Sequence, residues 1–338
     1  MRWRNAKTLV TGGASFIGSH LVDALLAREA IVRVVDNLSS GTLDNLRDHV
    51  ESGRVELIRA DLQDAGVADR AVEGIEIVFH LAADHGGRGY LELHQEACAT
   101  NMVLDGLVFA ACRRHDVEKV VYASSGCVYP NRLQRDPGEV VYLMEEMVGP
   151  PYDADHLYGW AKLMGEMRLR ASCAESGLKA ACCRYFTVYG DRGHENHALI
   201  AMIARAFVGQ SPFIVWGSGE QIRNWTHVSD IVTGTLLAAE QIDDGTAVNL
   251  GTMERTRVID AAREVLRYTG HRADIVLDPN MPSGPLNRVA DHALATRLLG
   301  WQPKVPFIDG LHRTIDWYFS TKDRDVVASG LAARLIER

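Results

Sequence analysis

The chain has 338 residues, of which 47% are hydrophobic and 24% charged, proportions typical of a globular protein with a large core. A net charge of −8 without a long basic run excludes nucleic acid and anionic membranes as expected partners, although local arginines can still bind a small anion. We find no signal peptide, no membrane-spanning run and no metal-ligand or disulfide spacing among the six cysteines, so we expect a cytoplasmic protein with free thiols and no metal.

The first half of the chain alternates short strand-like runs with helical patterns. The strand-like runs are almost continuously apolar, as expected for strands that are covered on both faces. This alternation predicts an α/β fold with a doubly wound parallel sheet of the Rossmann type and right-handed crossovers. Strands are predicted at 8–11, 31–36, 55–61, 75–83, 119–125 and 180–186, and helices at 17–28 and 101–115.

The second half is less regular and predicts a smaller, C-terminal substrate-binding domain packed on the edge of the sheet. Strands are predicted at 213–216, 248–251 and 274–277, and a Pro-rich loop at 278–286. We assign residues 1–186 to the larger domain, with 228–252 returning to it, and residues 187–227 and 253–320 to the smaller one. Residues 321–338 form a tail of helical character, for which the sequence predicts no packing partner.

A glycine-rich turn follows the first predicted strand and opens a helix. Residues 11–18 are Thr-Gly-Gly-Ala-Ser-Phe-Ile-Gly, and such glycines let backbone N–H groups approach a pyrophosphate at the helix N-terminus. Ser15 occupies the place of a middle glycine, and a tight turn without a ligand is the alternative for this motif alone. The residues predicted to contact the pyrophosphate region are Gly12, Ser15, Phe16, Ile17 and Gly18.

The ends of the next predicted strands strengthen this interpretation. Asp36 ends the second strand, 18 residues after Gly18. A carboxylate there can bind the adenine ribose hydroxyls and repel a 2′-phosphate, which favours NAD over NADP. Asp61, at the end of the third strand, can reach the adenine. The predicted cofactor contacts are completed by Asn37, Leu62, Leu81, Ala82 and Ala83.

Tyr158 and Lys162 stand four residues apart, and therefore on one face of a predicted helix. A nearby ammonium favours the phenolate, so Tyr158 can take the proton of a sugar hydroxyl while hydride leaves for the nicotinamide. Ser125, at the end of the fifth predicted strand, can bind the same substrate oxygen. A surface helix with an incidental Tyr and Lys is the alternative, and we interpret the same spacing at Tyr318 and Lys322 as chance.

Seven stretches spread over nearly the whole chain carry a family resemblance. They are TGGASFIGSH from Thr11, VVDNLSSG from Val34, HLAA from His80, SSGCVYP from Ser124, YGWAK from Tyr158, RYFTVYG from Arg184 and LGWQP from Leu299. Together they resemble the extended short-chain dehydrogenase/reductases. The resemblance implies NAD, a nucleotide-diphosphate-sugar substrate, often a homodimer, and Ser125, Tyr158 and Lys162 as the redox triad. The usual Asn of the family is Thr187 here.

Three features narrow the resemblance further. Cys127 lies two residues after Ser125, hence on the same side of an extended segment and facing the substrate. A glycine loop at 82–90 can lie against a sugar, and His197 begins a helical run at 197–207, with His194 as its rival. These features resemble the GDP-mannose 3,5-epimerase family most and the GDP-fucose synthase family next.

The resemblance implies a nucleotide-sugar epimerase that acts through a transient 4-keto sugar, with a GDP-mannose-like substrate favoured. A ketone at carbon 4 acidifies the protons on carbons 3 and 5, and an acid and a base on opposite faces can invert either carbon. We predict that Cys127 and His197 are this pair, against a buried Cys and a capping His as the alternatives. The functional alternatives are a 4-epimerase, an epimerase-reductase, and a non-catalytic NAD-dependent sensor or scaffold.

Arginines are the predicted ligands of the substrate diphosphate. Arg223 matches the family arginine that grips the diphosphate, for which a planar bidentate donor is well suited. Arg288, after the Pro-rich loop, is a weaker candidate for the same pocket. Trp216 and Trp225 are expected in the core. The predicted substrate-binding residues are Gly87, Arg88, Ser125, Thr187, Arg223 and Arg288.

Overall fold

The computed structural model describes residues 3–335. Its strands are β1 (Lys7–Thr11), β2 (Ile31–Asp36), β3 (Val55–Arg59), β4 (Ile77–His80), β5 (Lys119–Ser125), β6 (Lys179–Tyr185), β7 (Val188–Tyr189), β8 (Phe213–Trp216), β9 (Ile222–Arg223), β10 (Thr226–His227), β11 (Asp244–Leu250), β12 (Thr256–Arg257), β13 (Ile275–Asp278) and β14 (Asn287–Arg288). Its helices are α1 (Phe16–Leu26), α2 (Arg47–Glu51), α3 (Val67–Val72), α4 (Arg88–Leu93), α5 (Gln95–Ala99), α6 (Asn101–Arg114), α7 (His156–Ser176), α8 (Ala198–Val208), α9 (Val228–Gln241), α10 (Val258–Thr269), α11 (Ala293–Leu299), α12 (Phe307–Thr321) and α13 (Arg324–Arg334).

Seven strands form one parallel sheet in the order β11-β6-β5-β4-β1-β2-β3. The chain runs from β1 outward to β3 and then returns to place β4 on the other side of β1. Ligands bind at such a reversal of strand order, beyond the carboxyl ends of the strands. The predicted fold class is confirmed, and the geometry places a binding cleft above β1 and β4.

Both faces of the sheet are covered, which explains the continuous apolar runs of its strands. Leu9 and Val35 pack into one hydrophobic core with α3 and α6. Val10 and Val34, their neighbours along the chain, pack into the core on the other face with α1 and α9. Successive residues of β1 and β2 are therefore buried on opposite sides.

Several strands end earlier than predicted, because their apolar runs continue beyond the pairing. β3 ends at Arg59 rather than at residue 61, and β4 covers only Ile77–His80 of the predicted 75–83. After β4, the Leu81 and Ala82 N–H groups donate to the hydroxyl of Thr11, each at 3.0 Å, and the Leu81 N–H also reaches the Thr11 carbonyl oxygen at 3.3 Å. This side-chain contact turns the chain into the cleft.

The C-terminal part of the chain has a core of its own, built from α8, α10, α12, α13 and β8. Val327 and Leu331 of α13 pack into this core, so the tail has a partner that the sequence did not predict. Residues 336–338 of the predicted tail lie outside the described residues. None of the helices between residues 3 and 335 combines the length and the apolar character that crossing a bilayer requires.

Candidate active site

One cleft of about 450 Å³ collects residues from both parts of the chain. It runs from the glycine turn after β1, past the ends of β4 and β5, to α8 and the loop before β14. Every residue predicted for the cofactor, the substrate or catalysis lines this cleft. The roles of these residues stay predictions, whereas their assembly at one place is a finding. Within the described part of the chain, no group of three His, Cys, Asp or Glu residues is placed to hold a metal ion.

Two positions of the glycine turn disfavour a side chain, one because of its backbone conformation and the other because of lack of space. Gly12 has a φ of +69°, and a Cβ on Gly18 would lie 2.2 Å from the Gly12 carbonyl oxygen. Ser15 precedes α1, and its hydroxyl makes no capping hydrogen bond with the helix. Ser15 and Ile17 both line the cleft, so the N-terminal N–H groups of α1 border it. This arrangement fits a pyrophosphate at a helix N-terminus.

The carboxylate of Asp36 joins the glycine turn to the loop after β2. It accepts the backbone N–H groups of Ala14 at 2.9 Å and Leu38 at 2.8 Å. Burial raises the pKa of Asp36, and these two hydrogen bonds oppose the rise. Each oxygen keeps a lone pair for a ribose hydroxyl. Asn37 donates to Asp61 at 2.9 Å and orients this second carboxylate at the cleft. These residues fit the adenosine half of NAD.

Ser125, Tyr158 and Lys162 meet where β5 ends and α7 begins. Lys162 Nζ lies 5.8 Å from the centroid of the Tyr158 ring. Burial raises the pKa of Tyr158 well above its ordinary value, and the neighbouring Ser125 side chain only partly opposes this. In the protein alone, burial therefore opposes the phenolate that the sequence analysis expects, and the support of the phenolate by Lys162 stays a prediction.

A buried polar network behind these residues was missed by the sequence analysis. His80 lies 2.9 Å from Asp105 through Nε2 and 2.8 Å from the Thr11 hydroxyl through Nδ1. Tyr122 donates to the second oxygen of Asp105, and Lys162 Nζ lies 4.7 Å from the centroid of the Tyr122 ring. Burial lowers the pKa of Lys162, and the Asp105 carboxylate opposes this. The sequence signal that could have revealed this network is Asp105, a carboxylate on the buried face of α6.

Cys127 lies in a single 3-10 turn, Gly126–Val128, so the extended segment predicted for it is wrong. The Ser125 hydroxyl starts the turn by accepting the Cys127 N–H at 3.1 Å. Cys127 nevertheless lines the cleft, and Arg288 Nη1 donates to its sulfur at 3.1 Å.

His197 immediately precedes α8, which begins at Ala198, one residue later than the predicted helix start at 197. Burial, together with the neighbouring His85 and His194, lowers the pKa of His197 to about 3. The imidazole is therefore neutral at physiological pH. Gly87 packs against the same segment, since a Cβ there would lie 1.6 Å from the carbonyl oxygen of Asn196. Contact with the protein itself, rather than with a sugar, thus explains this glycine.

Four arginines line the substrate half of the cleft, and they differ in their partners. Arg88 and Arg288 both donate to Asp155 Oδ2, at 2.8 Å and 2.9 Å. Arg223 donates only to backbone carbonyl groups, and burial lowers its pKa to about 9, with Arg288 and Arg88 adding to the effect. Burial lowers the pKa of Arg205 to about 10, and its Nε is buried without a partner. Among the described residues, no carboxylate pairs with Arg205 or Arg223.

Arg205 was missed by the sequence analysis, because an arginine in the apolar run of α8 resembles a surface residue. Its guanidinium lies 5.7 Å from the centroid of the Trp216 ring. Trp216 lines the cleft and is only half-buried, so its expected place in the core is wrong. Trp225 is buried as expected and stacks on Phe307, with ring centroids 5.2 Å apart.

A Rossmann-type sheet with a glycine turn, an acidic end of β2 and a Ser-Tyr-Lys trio defines a short-chain dehydrogenase/reductase. The sequence model of the NAD dependent epimerase/dehydratase family matches residues 8–251. The chain belongs to this family, and its cofactor is NAD.

Relatives of the chain are similar over almost its whole length. An uncharacterized UDP-glucose epimerase of Bacillus subtilis is 31% identical over 322 residues, which are 93% of this chain and 98% of that protein. The structure of Thermotoga maritima UDP-glucose 4-epimerase with UDP-glucose is 30% identical, with a TM-score of 0.83, over 93% of this chain and 99% of that one. The structure of Bacillus cereus UDP-glucuronic acid 4-epimerase with UDP-glucuronic acid and NAD is 27% identical, with a TM-score of 0.83, over 94% and 100%. These relatives lend no support to a GDP-mannose preference.

Proposed function

We propose that the protein is an NAD-dependent nucleotide-sugar epimerase, which oxidises carbon 4 of its sugar, inverts a stereocentre and reduces the ketone again. The observation that carries this proposal is the placement of a redox trio in one cleft with two arginines that lack carboxylates. The trio is Ser125, Tyr158 and Lys162, and the two arginines are Arg205 and Arg223.

The charges of the cleft support a diphosphate ligand. Arg88 and Arg288 share the Asp155 carboxylate, and Arg88 also pairs with Glu92. Among the described residues, the buried Arg205 and the half-buried Arg223 have no carboxylate partner. A buried charge is unfavourable unless it is paired, so these two guanidinium groups favour a ligand that carries two negative charges. The diphosphate that links a nucleoside to a sugar has this charge.

The redox step uses the trio at the end of β5. NAD, when bound, accepts the hydride of carbon 4 and later returns it. In its ionised form, Tyr158 takes the proton of the hydroxyl at carbon 4, and the neighbouring Ser125 hydroxyl holds the same oxygen. Lys162, whose Nζ lies 5.8 Å from the centroid of the Tyr158 ring, supports this ionised form.

We assign the inversion to His197 and Cys127, at carbon 3 or carbon 5. His197 is neutral at pH 7, so one ring nitrogen is free to accept a proton and we assign it as the base, although the burial that keeps it neutral also weakens it as a base. It removes the carbon proton, and the electron pair of the C–H bond moves into an enolate that the ketone stabilises. The Cys127 thiol then returns a proton to the carbon from the other face, which inverts it.

A 4-epimerase is the second candidate, and the names of the relatives favour it. In that reaction the ketone turns over in the cleft and receives the hydride on its other face. Cys127 and His197 then only shape the site, and no carbon proton exchanges with water.

Isotope incorporation separates these two functions. The purified protein is incubated in D₂O with GDP-mannose, which the sequence resemblance favours, and with UDP-glucose and UDP-glucuronic acid, which the relatives favour. Proton NMR and mass spectrometry should show deuterium at carbon 3 or 5. Cys127→Ala should abolish this incorporation, whereas Cys112→Ala, on the buried face of α6, should not. Inversion at carbon 4 without deuterium makes the protein a 4-epimerase, a lasting absorbance change at 340 nm makes it a reductase, and no turnover contradicts the proposal.

We also propose a cytoplasmic homodimer. The free thiols of the six cysteines support a reducing compartment. α6 and α7 pack side by side, and apolar side chains on their outer faces are exposed, which favours pairing with a second copy. Light scattering after gel filtration should give the mass of a dimer, and Val103→Lys should give a monomer. The exposed apolar residues are Met102, Val103, Leu107, Leu157 and Met164.

A further inference from the structure

The guanidinium of Arg288 is held on three sides by the protein itself. Its Nε donates to Gln134 Oε1 at 2.7 Å, its Nη2 to Asp155 Oδ2 at 2.9 Å, and its Nη1 to Cys127 Sγ at 3.1 Å. Gln134 is anchored in turn, because its amide donates to the carbonyl oxygens of Tyr129 and Pro130. Arg288 is thus bound to protein side chains, among them a carboxylate that Arg223 lacks, and a role as diphosphate ligand fits it poorly.

Asp155 contacts both the backbone of Cys127 and the guanidinium of Arg288. Its backbone N–H donates to the Cys127 carbonyl oxygen at 2.8 Å, while its carboxylate accepts from Arg88 and Arg288. The Asp155 side chain is only 3% exposed. Burial by itself raises the pKa of Asp155, but Arg288 and Arg88 bring it down to about 2. Asp155 is therefore a charged and rigid anchor at the N-terminus of α7.

We propose that Asp155 is a positioning residue, which holds Arg288 against Cys127 so that Arg288 is the counter-ion of the Cys127 thiolate. This inference rests on the acid–base role proposed for Cys127. When the thiol protonates the enolate carbon, the S–H bond breaks and its electron pair stays on the sulfur. The new C–H bond takes the proton, and the negative charge is left beside Arg288 Nη1. No oxidant or reductant takes part in this step.

Other charged and titratable groups also face the sulfur. They are Tyr158 and Lys162 from α7 and Arg223 from β9. Within residues 3–335, Arg288 is the guanidinium that donates a hydrogen bond to this sulfur. A charge-assisted hydrogen bond stabilises a thiolate more than a distant cation does. Loss of the Asp155 anchor should therefore leave the other cations in place and still make the Cys127 thiolate less stable.

Alkylation of the ligand-free protein tests the anchor without any substrate. Iodoacetamide is added between pH 5 and 10, and modification of Cys127 is followed by peptide mass spectrometry. In Asp155→Asn, the midpoint of the pH–rate curve should move upward, because the thiolate loses its hydrogen bond to Arg288. The loss of the Asp155 charge acts in the opposite sense, so the net shift should be about one pH unit, the low end of the usual effect of a lost counter-ion. The matched control is Glu92→Gln. Glu92 accepts only from Arg88, so this variant should leave the curve unchanged.

A double-mutant cycle shows whether Asp155 acts through Arg288. Arg288→Gln removes the cation itself and should shift the curve upward by about one to three pH units, more than Asp155→Asn does. Adding Asp155→Asn to Arg288→Gln should give no further upward shift, because the anchor then has no arginine to hold. Raising the pH should restore alkylation in all three, which a collapsed site would not allow. A wild-type curve in Asp155→Asn, or additive shifts in the double variant, overturns the proposal. If Asp155→Asn does not fold, as judged by circular dichroism, Arg288→Gln alone decides it.

Turnover separates this inference from the proposed function. In Asp155→Asn, deuterium incorporation at carbons 3 and 5 should fall about tenfold at pH 7, the effect of a shift of one pH unit. Reduction of NAD in a single turnover, which depends on the Tyr158 trio, should keep its rate. Shifted alkylation together with no deuterium incorporation in the wild type refutes the acid–base function, while the anchor of Arg288 remains established.

Discussion

Replacing His197 with glutamine tests the burial of this imidazole through the pH dependence of stability. The pKa of His197 falls from 6.5 to about 3 on folding, because burial, His85 and His194 disfavour the charged form. As the pH falls below 6.5, the unfolded chain binds a proton that the folded protein does not bind. The folded state therefore loses stability between pH 6.5 and about pH 3, and it keeps its full stability above that window.

The size of the effect follows from the width of this window. Each pH unit inside it costs about 1.4 kcal/mol of unfolding free energy for one group. From pH 6.5 to pH 5, His197 should therefore cost at most about 2 kcal/mol, an upper bound because the ring keeps some contact with solvent. Burial also lowers the pKa of His20, His194 and His227, and these groups act in the wild type and the variant alike.

Urea unfolding between pH 7 and pH 5, followed by circular dichroism, measures this difference. The wild type should lose about 2 kcal/mol more than His197→Gln over this range. His197→Asn, which also cannot titrate, should behave like the glutamine variant. Parallel stability curves for the wild type and both variants would refute the burial of a neutral His197.

Three further predictions concern the cofactor and diphosphate regions. Gly18→Ala places a Cβ 2.2 Å from the Gly12 carbonyl oxygen, so the unfolding free energy should fall by about 1–3 kcal/mol. The NAD affinity measured by calorimetry should fall by about tenfold or more. The control is Gly149→Ala, whose Cβ meets nothing within 4 Å and which should match the wild type. Asp36→Asn removes the charge that repels a 2′-phosphate, so the ratio of NADP to NAD affinity should rise about tenfold in fluorescence titration, and an unchanged ratio contradicts this role. Arg205→Met removes a buried unpaired charge, so the ligand-free protein should gain about 1 kcal/mol or more while its UDP affinity falls; a less stable variant contradicts the charge argument.

The cofactor half of the cleft could be predicted from the sequence because its residues stand at strand ends. Asp36, Ala82 and Ser125 each follow or end an apolar run, and a parallel sheet brings its carboxyl ends to one edge. The order of runs along the chain therefore places these residues together before any contact is known. The predicted ends of strands were less accurate, as at β4, where the Leu81 and Ala82 N–H groups after the strand donate to the Thr11 hydroxyl.

The substrate half could not be predicted in the same way, because its side chains choose among partners that are distant in sequence. Arg288 was expected on a diphosphate, yet it lies on Cys127 and Asp155, which precede it by more than one hundred residues. Arg205 had no distinguishing pattern within the apolar run of α8. Only the folded chain shows which arginines have a carboxylate and which do not.

The sequence by itself determined the class of fold, the identity of the cofactor and the edge of the sheet where the cleft lies. These depend on periodicity and on residue types at strand ends, which are local properties of the chain. The tertiary structure alone decided the protonation of Tyr158 and His197 and the partners of the arginines. Burial and long-range pairing set these properties, because the free energy of a charge depends on the solvent and the counter-ions that the fold leaves around it.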